Sequence, residues 1–89
     1  MKILVAEDDE NSRQLLEAEL SGEGYETVSF DDGLKALSYL QVEPVDLIIS
    51  DILMPELDGY GLCRALKQNH TLQKIPFIFY TATYTTPAR

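Results

Sequence analysis

The sequence predicts an α/β fold, a doubly wound parallel sheet with helices on both faces, in the element order βαβαβαβ. Runs rich in apolar and β-branched residues at 3–6, 45–50 and 77–81 have the composition of strands covered on both sides. Single segments with apolar residues at helical spacing separate the strands, as right-handed crossovers in a parallel sheet require. Two of the buried runs also end abruptly in acids.

The first run, Ile3-Leu4-Val5-Ala6, gives way to Glu7-Asp8-Asp9-Glu10. Residues 11–20 place Leu15, Leu16 and Leu20, with Ala18 between them, at helical spacing, and Gly22 and Gly24 supply stop signals. Residues 25–30 alternate, with Val28 and Phe30 on one face and Thr27 and Ser29 on the other. That pattern suits a strand with one exposed side at a sheet edge. Asp31 and Asp32 are candidate caps for a second helix carrying Leu34, Leu37 and Leu40, and Pro44 closes the connection. The strand at 45–50 contains Leu47-Ile48-Ile49 and ends in Asp51. A loop with Met54-Pro55 and Asp58-Gly59 leads to a third helix with Leu62, Ala65 and Leu66 on its inner face. After a polar stretch, Pro76 precedes Phe77-Ile78-Phe79-Tyr80-Thr81, a fourth strand of strong β propensity. Residues 82–89 show no periodicity. No repeat or linker interrupts the order, so residues 1–89 read as one domain.

Composition narrows the function. Apolar residues are 45% of the chain and charged residues 25%, the balance of a soluble globular protein with little core to spare. Seven Lys and Arg against fifteen Asp and Glu give a net charge of −8. Such a chain repels nucleic acid and anionic lipid and attracts cations and basic protein surfaces. The single Cys63 cannot form an internal disulfide, which fits a reducing compartment; it reads as a packing or surface residue. The N-terminal apolar run is too short for a signal peptide or membrane span, so a cytoplasmic location is expected. His70, the single histidine, lies in a polar stretch and does not read as a metal ligand.

The acids that follow strands differ from the rest. In open parallel sheets, ligands bind beyond the carboxyl ends of the strands. If the strands ending at Ala6 and Ser50 are neighbours, Glu7 and Asp8 stand beside Asp51. Three carboxylates that close repel one another and raise at least one pKa. A hard divalent cation relieves this, and Mg²⁺ prefers carboxylates, waters and a phosphate as oxygen ligands. Asp9 and Glu10 read instead as the start of a helix, where the dipole favours acids. Asp51 has no such reading, because no helix begins until near Gly59.

Three segments together carry a resemblance: Ile3-Leu4-Val5-Ala6-Glu7-Asp8-Asp9; Leu47-Ile48-Ile49-Ser50-Asp51-Ile52-Leu53-Met54-Pro55-Glu56-Leu57-Asp58-Gly59; and Pro76-Phe77-Ile78-Phe79-Tyr80-Thr81-Ala82. The chain resembles the receiver domains of two-component response regulators, chemotaxis-regulator-like, with the motifs in the right order. The resemblance implies a flavodoxin-like receiver fold with strand order 2-1-3-4, lacking the family's fifth strand and last helices. It implies that Asp51 is the phosphoacceptor, a carboxylate nucleophile that forms an aspartyl phosphate. Asp8 and Asp51 would ligate Mg²⁺ directly, the backbone carbonyl of Leu53 would be a third ligand, and Glu7 would act through a bound water. The family more often has Asp where this chain has Glu7. Thr81 would hydrogen-bond a phosphoryl oxygen and the Ala82 backbone N–H would hold the same group. The implied partner is a sensor histidine kinase or phosphotransfer protein, in phosphorelay signal transduction. The chain itself would be no enzyme and would bind neither membrane nor, through this segment, nucleic acid.

Two features qualify this. No lysine follows Lys74, so nothing supplies the family's fifth-strand lysine, and phosphoryl transfer is expected to be impaired. The alternative is a phosphorylation-independent interaction module, or a structural fragment that pairs with a complementary half-domain. A dehalogenase-like enzyme with an aspartyl phosphate needs an acid two residues after the nucleophile, and Leu53 stands there. A fourth strand left at the edge would also present unpaired backbone groups and apolar side chains. The expected outcome is a homo-oligomer formed through that strand, or a piece borrowed from a partner. Sedimentation checks it, and a stable, compact monomer would count against it.

Overall fold

Each apolar run becomes a strand, and each helix between two strands makes the crossover that parallel pairing requires. The computed structural model describes residues 1–80, as β1 (Lys2–Ala6), α1 (Glu10–Gly22), β2 (Glu26–Phe30), α2 (Gly33–Leu40), β3 (Leu47–Asp51), α3 (Gly59–Lys67), a short 3₁₀ turn (Leu72–Lys74) and β4 (Phe77–Tyr80). The sheet order is β2-β1-β3-β4 and every pairing is parallel. In register, Ala6 lies beside Phe30 on one side and Ser50 on the other, and Asp51 lies beside Tyr80. β2 is an edge strand, as its alternation predicts.

The helices start where aspartates can cap them. Asp9, Asp32 and Asp58 each accept, at 2.8 Å, the backbone N–H three residues ahead, from Ser12, Lys35 and Gly61. Each bond satisfies a donor that the helix leaves unpaired, and such caps contribute on the order of 1 kcal/mol. Of the two acids before α2, Asp32 caps, while Asp31 pairs with the Lys35 ammonium at 2.9 Å.

The main core lies between the sheet and α2 and α3. Leu4, Ala6 and Ile48 of the sheet meet Ala36 and Leu40 of α2, Leu62 and Leu66 of α3, and Val45 and Leu72 from the connections. α1 lies against β1 and β2, where the Ser29 hydroxyl donates to Glu17. Leu16 and Leu20 of α1 are half-buried, whereas Leu15 is 64% exposed.

Three details depart from the sequence reading. The inner row of α2 is Gly33, Ala36, Leu37 and Leu40, an i, i+3, i+4, i+7 stripe, which turns Leu34 outward. β3 begins at Leu47, because Asp46 is occupied at the mouth of β1. Its side chain accepts the Lys2 N–H at 2.7 Å and its own N–H donates to the Lys2 carbonyl at 2.8 Å. The polar stretch before β4 hides the 3₁₀ turn: the Asn69 side-chain oxygen accepts the N–H groups of Thr71 and Leu72, both at 2.9 Å, and Leu72 drops into the core.

Among the described residues β4 forms the second edge, with Ile78 half-exposed and Phe79 set against the Tyr60 ring at 5.1 Å. Among the described residues no helix is long and apolar enough to cross a membrane. Because Leu62 is enclosed and Leu15 is not, Leu62→Ala is expected to cost about 2–5 kcal/mol. Leu15→Ala should stay within about 0.5 kcal/mol. Urea unfolding of the two variants checks both.

Candidate functional site

The candidate acids gather where β1 and β3 end side by side. Glu7 follows Ala6 and Asp51 follows Ser50, and Ala6 and Ser50 are register partners. The two acids therefore leave the sheet together, as the neighbouring-strand condition requires. Glu7 and Asp51 are completely enclosed, at 0% exposure, while Asp8 is open to solvent. One carboxylate oxygen from each of Glu7, Asp8 and Asp51 lies within 4.8 Å of the others.

Backbone groups hold the two buried acids. Glu7 Oε2 accepts the Asp9 N–H at 2.9 Å, and the Glu7 N–H donates to the Phe30 carbonyl at 3.0 Å. The Arg13 guanidinium donates to the Glu7 carbonyl at 2.9 Å. Asp51 Oδ1 accepts the Ile52 N–H at 2.7 Å, and the Ser50 hydroxyl donates to the Asp51 carbonyl at 2.8 Å. The remaining oxygens, Glu7 Oε1 and Asp51 Oδ2, are buried with no hydrogen-bond partner. A native structure seldom leaves buried polar atoms unsatisfied without a use for them.

Burial pushes the Glu7 carboxyl up to about 7, against the opposing Asp9 N–H bond, and the charges of Asp51 and Asp8 add to the rise. Tyr80 feels the same field. Burial raises its phenol, and the negative charges of Glu7 and Asp51 raise it further.

The loop after Asp51 returns to α3 by a tight path. The Gly59 N–H donates to the Ile52 carbonyl at 2.8 Å, and the Leu57 N–H donates to the Pro55 carbonyl at 2.7 Å. Glu56 adopts a left-handed backbone at φ 67°. Gly59 is there for close approach, since a Cβ would collide with the Asp51 carbonyl. Leu53 lies in this loop, two residues beyond Asp51, with its side chain exposed. Thr81 and Ala82 lie outside the described residues.

Of the expected site residues, the structure thus brings Glu7, Asp8 and Asp51 together. Three supporting residues went unnoticed in the sequence. Ser50 looked like one more strand residue. Arg13 carried a faint signal, a cation near the N-terminus of a helix, where the dipole disfavours it. Gly33 carried another, a poor helix former directly after the cap of α2.

A parallel sheet in this order, with acids at the ends of its central strands, defines a flavodoxin-like α/β domain whose ligand site lies beyond the carboxyl ends of those strands. The chain matches the family described as response regulator receiver domain over residues 3–89 and belongs to it. Receiver domains of this family serve response regulators in two-component signalling.

Relatives include a probable transcriptional regulator, ycf27, of Cyanophora paradoxa, 44% identical over 91% of this chain and 33% of its own length. The response regulator PleD of Caulobacter vibrioides is 41% identical over 91% of this chain and 18% of its own. The chain thus spans about a third or less of the length of these curated relatives. Among solved structures, the signal receiver domain of a histidine kinase from Syntrophus aciditrophicus superposes with a TM-score of 0.87 at 44% identity, covering 90% of this chain and 61% of that one. The receiver domain of the sensor histidine kinase PA1611 from Pseudomonas aeruginosa PAO1 also gives 0.87, at 29% identity, covering 97% and 70%; it has a magnesium ion coordinated in its active-site cleft.

The three-carboxylate cluster fits such an ion. Its donors are all oxygen, as a hard cation prefers, and two of its buried oxygens have nothing else to bind.

Glu7 has a consequence for stability. In the folded chain it holds its proton up to about pH 7, and in the unfolded chain only to about 4.5. Between those values the folded state binds the extra proton, so stability falls as pH rises through that window. Thermal melts of the chain in a chelator should show this fall, and Glu7→Gln should flatten it.

Proposed function

We propose that the chain is a phosphoacceptor, taking a phosphoryl group on Asp51 from the phosphohistidine of a sensor histidine kinase or phosphotransfer protein. The observation that carries this reading is the enclosed, unpartnered Oδ2 of Asp51 beside two further carboxylates. Oδ1 accepts the Ile52 N–H with one lone pair and keeps a second for the cation, which leaves Oδ2 for attack. The Oδ2–P bond forms, the P–N bond of the donor breaks, and its electron pair returns to the imidazole nitrogen. Phosphoryl transfer asks little more of a protein than in-line positioning and neutralisation of charge.

The residues to hold Mg²⁺ are Asp8 and Asp51 directly, the Leu53 carbonyl, and Glu7 through a water. When bound, the cation offsets the acids so that an anionic donor can approach. Thr81, through its hydroxyl, and Ala82, through its N–H, are the residues to orient the phosphoryl oxygens. The chain acts as acceptor and not as an enzyme, since Leu53 has no proton to give where a hydrolase of this chemistry keeps its acid. A cytoplasmic location goes with this role.

Acetyl phosphate with Mg²⁺ should label the chain, and Asp51→Asn should abolish the label, read by intact mass. Beryllofluoride with Mg²⁺ should shift the amide signals of Asp51, Thr81 and Ala82. A folded chain that neither labels nor responds would leave the phosphorylation-independent module as the better reading.

A further inference from the structure

Gly33 opens α2 immediately after its Asp32 cap, and nothing about the helix asks for glycine there. Its backbone is not left-handed, and glycine is among the poorest helix formers. The demand comes from the loop opposite. A Cβ at Gly33 would collide with the Leu57 carbonyl oxygen and stand 2.9 Å from both the Leu57 carbonyl carbon and its Cβ. Backbone atoms cannot swing aside as the tip of a side chain can.

Leu57 belongs to the loop that leaves Asp51, carries Leu53 and returns to α3, and this loop has little slack. It is closed at its base by the Gly59 N–H on the Ile52 carbonyl, 2.8 Å, and tightened by the Leu57 N–H on the Pro55 carbonyl, 2.7 Å. On the α3 side, a Cβ at Gly59 would strike the Asp51 carbonyl, and one at Gly61 would stand 2.6 Å from Leu57 Cδ1. α2 cannot easily withdraw either, because Ala36 and Leu40 are locked in the core and core packing resists displacement. A group inserted at Gly33 must move the loop, and the loop is anchored at Asp51 and Ile52.

We propose that Gly33 is a positioning residue of the acidic site. By letting α2 rest directly on the Leu57 backbone, it fixes the loop at the distance from Glu7 and Asp8 that allows Asp51 and the Leu53 carbonyl to share a divalent cation. This role rests on the Mg²⁺ reading above. It makes the start of α2 part of the site without any contact to the ion.

The test is a Mg²⁺ titration of the 89-residue chain, followed by amide NMR shifts with melting temperatures alongside, for the unsubstituted chain, Gly33→Ala and Gly22→Ala. Gly22 has no atom within 4 Å of a built Cβ, so Gly22→Ala should keep the parent affinity. Gly33→Ala should bind Mg²⁺ about tenfold more weakly, as losses of supporting residues around metal sites do. It should also melt lower, although helix propensity alone would raise its melting point. A folded Gly33→Ala that binds Mg²⁺ as the parent does overturns the role and leaves the metal site standing. An unsubstituted chain that binds no Mg²⁺ overturns the metal reading and this role with it. If Gly33→Ala does not fold, the unsubstituted chain decides. Gly33 and Leu57 amides that shift with the same midpoint as Asp51 support the role, and a Gly33 amide that stays still overturns it.

Discussion

Two carboxylates, those of Glu7 and Asp51, are buried side by side with one oxygen each left unpaired, held there by the parallel pairing of β1 with β3. Each unpaired buried oxygen costs about 1–3 kcal/mol, more when charged, and the protein meets that cost in its core. The cluster stays in place because both acids sit directly at the ends of strands whose preceding residues, Ala6 and Ser50, are themselves fully enclosed. Neither acid can turn out to solvent without unravelling a strand end. The charge is thereby confined where only an incoming cation or proton relieves it.

Six of the other acids have structural partners. Asp9, Asp32 and Asp58 cap the three helices, Asp31 holds Lys35, Asp46 closes the mouth of β1, and Glu17 accepts from Ser29. These are structural uses of negative charge, each answered by a donor. Glu7 Oε1 and Asp51 Oδ2 are the buried side-chain oxygens, among the described residues, that no donor answers. In a chain of net charge −8, it is this missing partner, more than the number of acids, that separates a site from a solvated surface.

Glycine at the helix starts is the second device. Gly33 and Gly59 let two helices and the loop after Asp51 come into backbone contact, and Gly61 leaves room for the Leu57 side chain. A side chain at Gly33 or Gly59 would hold these pieces apart. The loop is thus set by absence of atoms on both flanks and by two short backbone hydrogen bonds within it. Such a loop is sterically confined, and it can present backbone groups to a ligand without side-chain help.

Much of this was legible along the chain. The apolar runs announced β1, β3 and β4, the alternation of Val28 and Phe30 with Thr27 and Ser29 announced an edge strand, and Asp51 stood out because no helix followed to use it as a cap. Leu34 misled, because a three-leucine spacing fits a helix as well as the Gly33-Ala36-Leu37-Leu40 stripe that is buried. The 3₁₀ turn was hidden, because it depends on two bonds to one asparagine oxygen in an otherwise polar stretch.

What the sequence determined by itself is local: which segments pair and which coil, because side-chain periodicity and capping act over a few residues. Only the tertiary structure decided that Glu7 and Asp51 share a pocket, that their outer oxygens lack donors, and that Gly33 bears on a loop 24 residues away at Leu57. Those facts depend on strand register and on the distance between surfaces far apart in the chain. No short stretch of residues encodes a distance to something that is not its neighbour.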